Sequence, residues 1–146
     1  MDIERLTKRM AAEHRTRNPF DICSNLGIAV FRRPLSGFRG LSQIIDGVRI
    51  IQIADELSER ASTFVCAHEL GHLLLHFGMN RVFLDGHTLF VPSKYEKRAD
   101  IFAFSLLFGV PPLLRDETLY DWQLADCLNI GLSDVNRRLI ELGMYY

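Results

Sequence analysis

With 146 residues, 48% of them hydrophobic and 24% charged, the chain has the make-up of one soluble globular domain able to bury a real core. A net charge of -1 gives no electrostatic footprint for nucleic acid or anionic lipid. Cys23, Cys66 and Cys127 are odd in number and form no CxxC pair, and the N-terminus has no apolar leader-like run. Together with the lack of any membrane-spanning stretch, this makes a reduced, cytoplasmic protein the expectation.

Asp2 predicts the cap of a first helix, with Ile3, Leu6 and Met10 at helical spacing and an end before Asn18. Asn18-Pro19-Phe20-Asp21 is a second start signal: a capping Asn, Pro at the first helical position and an acid in the first turn. That short helix stops at Gly27. The period then changes, and Ile28 to Phe31 reads as a strand broken by Pro34 and Gly37. Leu41 to Ile45 and Val48 to Ile53 are two β-branched runs joined by Asp46-Gly47, which predicts a hairpin with a two-residue turn.

After caps at Asp55 to Ser58, a helix should run through Phe64-Val65-Cys66-Ala67-His68-Glu69-Leu70-Gly71-His72 to about Phe77 and end at Gly78. It places His68 and His72 one turn apart on one face, where two imidazoles can share a tetrahedral zinc. Glu69 stands beside them to take a proton from water. A core helix carrying these rings by accident would bury polar groups in an apolar run at a cost, so the zinc site is the better reading. Met79 to Val91 fits a small hairpin or an ordered loop. Pro92-Ser93 opens a further helix through Phe108, stopped by Gly109, and the remainder reads as helical.

A catalytic zinc usually has three protein ligands. His76 is a poor third, since along a straight helix it rises roughly 12 Å from His68. It is better read as a partly buried or supporting group. Glu96 and Asp100, i,i+4 on the next helix, offer a better answer: Glu96 reaches the metal and Asp100 accepts the free ring N–H of a ligating histidine. Ala99 and Ala103 are small enough for close helix approach. The competing reading is a capping box from Ser93 to Glu96, with Asp100 in a surface pair with Lys97. Beside HELGH, which otherwise lacks a ligand, the spacing HExxH…ExxxD favours the metal.

NPFDICSNLGI, the hairpin before HELGHLLLH, and EKRADIFAFSLL resemble the ImmA/IrrE family of small metallopeptidases, over roughly residues 15 to 142. HELGH alone is common to many zincins; followed by ExxADxFAxxLL it is far more specific. The resemblance implies a gluzincin-like core with His68, His72 and Glu96 as zinc ligands, Glu69 as catalytic base and Asp100 behind a ligand. It also implies a phage, mobile-element or stress-response setting, in which members cleave or antagonise helix-turn-helix repressors.

The expected architecture is a single α+β domain over 1–146. A small antiparallel or mixed sheet packs on a helical core carrying the HExxH helix, and a helical C-terminal part, 116–146, belongs to the same domain. The expected activity is that of a zinc endopeptidase with one zinc per chain and a repressor as protein substrate. A sheet edge would hold that substrate extended. Tyr95, His87 and His76 are the candidate oxyanion donors. The rival class is a non-catalytic regulator that binds a repressor or DNA around a structural metal. Leu124 to Leu139 resembles a short helix-turn-helix with Arg137-Arg138 in its second helix, but Asp126, Asp134 and Glu141 dilute its positive charge, which weighs against DNA.

Overall fold

The computed structural model describes residues 2–75 and 93–109, together with Asp134 and Arg137. The elements in order are α1 (Ile3–His14), α2 (Pro19–Asn25), β1 (Ala29–Arg33), β2 (Gly40–Ile45), β3 (Val48–Ala54), α3 (Glu59–Leu75) and α4 (Ser93–Phe108). The expected end of the histidine helix near Gly78, the 79–91 segment and the C-terminal helices fall outside the described residues.

The local start and stop signals are used as chemistry requires. Asp2 accepts from the backbone N–H of Arg5 at 3.1 Å, and Asn18 Oδ1 accepts from that of Phe20 at 2.9 Å, with Pro19 opening α2. Each satisfies a donor that the first helical turn leaves unpaired. Ser58 Oγ does the same for Ala61 at 3.1 Å before α3. Gly109, at φ 85°, closes α4 in a conformation that costs glycine little.

β2 and β3 form the expected hairpin, with Ile45 opposite Val48 and the linking Asp46 and Gly47 at φ 50° and 79°. Both positive angles suit a type I′ turn, which follows the natural twist of the strands. The strand order is β1-β3-β2, with β1 parallel to β3 and β2 antiparallel to it. β3 is therefore central, and among the described residues β1 and β2 are the edges. β1 also runs to Arg33, beyond the apolar run that ended at Phe31, because its pairing continues to Arg33 opposite Ala54.

Alternation sends Ile51 and Ile53 of β3 inward, fully buried, with Ser42 of β2 on the same face. This face packs on α3, which α2 and α4 also cover. Helix α3 is accordingly buried almost all round, with Phe64, Val65, Cys66, Ala67, Leu70, Gly71 and Leu73 inside. That is the pattern of a central helix rather than an amphipathic one. The result is an α+β domain, a mixed three-stranded sheet on a helical core.

Candidate metal centre

The polar residues of α3 lie where that central helix meets α4. The spacing of four brings the rings of His68 and His72 together with centroids 4.8 Å apart, and their Nε2 atoms 3.2 Å apart. Helix α4 packs against α3, and its Ala99, Phe102 and Ala103 are all fully buried. The approach depends on Gly71: a Cβ there would stand 3.0 to 3.1 Å from the Phe102 side chain. Phe102 of α4 thus lies against a glycine of α3, and Gly71 had no part in the reading of the sequence. Its signal was present, because glycine inside a helix costs about 1 kcal/mol relative to alanine and wants a packing reason.

Two acids of α4 reach the histidines. Glu96 Oε1 lies 2.7 Å from His72 Nε2, and Oε2 lies 3.4 Å from His68 Nε2. Asp100, itself 2% exposed, sets Oδ1 2.6 Å from His68 Nδ1. A carboxylate accepts, so the ring nitrogen donates to it, and Nε2 is left facing Glu96 and His72. Helical periodicity puts Glu96 and Asp100 on one side of α4, and the structure sends them to opposite nitrogens of the same ring.

The electrostatics follow from this crowding. Burial alone would push the His68 imidazole down. The hydrogen bonds to Asp100 and Glu96, with the charges of Asp100 and Glu69, more than reverse that and raise it to about 10. Burial would likewise raise Glu96, but its hydrogen bonds to His68 and His72 hold the carboxyl well below the usual range.

The donor set fits a metal ion. A four-coordinate ion with nitrogen and oxygen donors at about 2.0–2.1 Å sets those donors roughly 3.4 Å apart. The separations between His68 and His72 and between His68 and Glu96 match that spacing, and the pair His72–Glu96 sits at hydrogen-bond distance. Donor atoms of His68, Glu69 and His72 also lie within 4.8 Å of one another. Glu69 is buried, and its Oε2 has no hydrogen-bond partner among the described residues. An orphaned carboxylate oxygen in a core is costly, and an ion or ordered water is the ordinary remedy.

Tyr95 sits half-buried on α4 one residue before Glu96. His76 and His87, the other oxyanion candidates, lie outside the described residues. So does most of the helix-turn-helix-like stretch. Its described members, Asp134 and Arg137, pair with each other at 2.8 Å in an exposed i,i+3 contact. Among the described residues no helix is long and apolar enough to cross a membrane.

A profile of the Peptidase M78 family, the IrrE N-terminal-like domain, matches residues 23–139. The chain is 35% identical over 106 residues to "Uncharacterized immunity region protein 2" of Bacillus phage phi105, covering 72% of this chain and 67% of that protein. It is 29% identical over 139 residues to "Metallopeptidase ImmA" of Bacillus subtilis strain 168, covering 90% of this chain and 80% of that one.

Proposed function

Because this chain belongs to the family of IrrE N-terminal-like domains, we propose that it is a cytoplasmic, zinc-dependent endopeptidase whose substrate is a helix-turn-helix transcriptional repressor. Cleavage would relieve repression in a phage, mobile-element or stress-response system, a setting supported by the phage immunity-region relative. The observation that carries the reading is the meeting of His68 Nε2, His72 Nε2 and the Glu96 carboxylate from two helices, with a Glu69 oxygen nearby that has no hydrogen-bond partner among the described residues.

His68, His72 and Glu96 would hold one zinc per chain, and that ion would supply Lewis acidity, drawing the pKa of water towards about 7 and polarising a scissile carbonyl. Glu69 accepts the proton of the attacking water at its carboxylate and returns it to the leaving amine. Asp100 fixes the His68 tautomer through Nδ1–H, which leaves Nε2 turned toward His72 and Glu96 as a ligand atom would be. The extended substrate adds to β2, an edge of the sheet whose first residue, Gly40, lies against Glu69. Tyr95, His76 and His87 are the candidate donors to the oxyanion.

The test is incubation of the zinc-loaded protein with the product of the neighbouring repressor gene, followed by intact-mass measurement. Cleavage gives two fragments whose masses sum to the repressor plus one water. Glu69→Gln keeps its zinc and yields no fragments. A protein that only binds its repressor would give a stable complex and no fragments with either form, and that result overturns the peptidase reading.

A further inference from the structure

Resting on the assignment of Glu69 as the base, we infer that Gly40 is a positioning residue for it, because the bare backbone at the start of β2 gives the Glu69 side chain its place. A Cβ built on Gly40 would stand 2.5 Å from Val65 Cγ1, 3.2 Å from Glu69 Cγ and 3.3 Å from the backbone oxygen of Gln52. Val65 and Glu69 are i,i+4, so they form one ridge of α3, and Gly40 is laid directly on that ridge. The oxygen of Gln52 belongs to β3, to which Gly40 is paired through Ile53. An added methyl is therefore caught between a sheet carbonyl behind it and the helix ridge ahead.

Neither side gives way easily. Val65 is buried and β-branched, with essentially one rotamer open to it in a helix. The carbonyl is part of a hydrogen-bonded ladder. The strain falls on the spacing between β2 and α3, and so on the carboxylate that α3 presents beside them. The ring nitrogens of His68 and His72 meet the carboxylate of Glu96 from α4, and the three atoms nearest such a methyl belong to Val65, Glu69 and Gln52 instead. Gly40 thus separates the placing of the base from the holding of the metal.

The experiment compares Gly40→Ala, Val65→Ala and the double variant, all zinc-loaded. Gly40→Ala keeps its zinc stoichiometry and lowers kcat roughly a hundredfold, the scale of an ångström's misplacement, with KM within about threefold. The double variant, freed of the 2.5 Å obstacle, regains about tenfold in kcat. It stays about tenfold below Val65→Ala, because the remaining 3.2 Å contact is with Glu69 itself. If Gly40→Ala fails to fold, the double variant against Val65→Ala carries the comparison.

Crystal structures of the same variants show the Glu69 carboxylate displaced while His68, His72 and Glu96 keep their spacing. An unmoved carboxylate overturns the inference, as does a rise in KM with kcat kept, or a loss of zinc in step with kcat. Should the parent protein cleave nothing, the peptidase reading fails, and the crystal structures alone then decide the place of Gly40.

Discussion

His68 is held from both ends of its ring, by Asp100 at Nδ1 and by Glu96 and His72 around Nε2. Asp100 is buried and bonds that ring at Nδ1, so its effect on a metal should be felt through the histidine. Asp100→Asn keeps the shape and removes the charge. It is expected to weaken zinc binding roughly 10- to 100-fold, read by competition with a chromophoric chelator. Unchanged affinity would leave Asp100 a purely structural role. At this scale much was legible beforehand, since the i,i+4 rule alone brings His68 to His72 and Glu96 to the side of Asp100. Glu96 had two readings, a capping box or a ligand, and it is the packing of α4 on α3 that brings its carboxylate to the two histidines. Gly40 gave no signal at all, because its meaning is a contact with Val65 and Glu69 on a different element.

Between elements, the decisive contact is that of α3 with α4, closed by Phe102 against Gly71. Gly71→Ala gains helix propensity but drives a methyl to 3.0 Å from the Phe102 ring. Overpacking of this kind typically costs about 1–3 kcal/mol. The variant should unfold at a lower temperature in a thermal melt and hold zinc less tightly, because the helix carrying Glu96 is pushed away. A melting temperature above that of the parent would mean the helix gain wins. At its far end α4 is tied to the loop after α1 by Arg17, whose guanidinium donates to the carbonyls of Ser105 and Leu106 at 3.3 and 2.9 Å. A cation there satisfies the otherwise unpaired carbonyls of a helix C-terminus and suits its dipole. The hairpin was readable from Asp46-Gly47, since turn chemistry is local. The parallel pairing that makes β3 central was not, because it joins β1 to a strand beyond the intervening β2. Nor was the extension of β1 through Arg32 and Arg33, whose polarity masks a paired backbone.

Across the whole molecule, the sequence suggested a metallopeptidase-like α+β domain, and the match to the IrrE N-terminal-like family agrees with it. The sheet, α2 and α4 enclose α3 from different sides, and Cys23 of α2 and Cys66 of α3 meet in the core with sulfurs 4.0 Å apart. This enclosure has a consequence for motion. A helix wrapped this way has no shallow route to opening, so its backbone N–H groups trade with solvent only when the whole domain comes apart. In native-state deuterium exchange, the amides of Cys66 to His72 should be among the slowest in the chain, outlasting those of the more peripheral α1. Partly opened forms, which shed α1 first, would then keep the two rings and Glu69 in register.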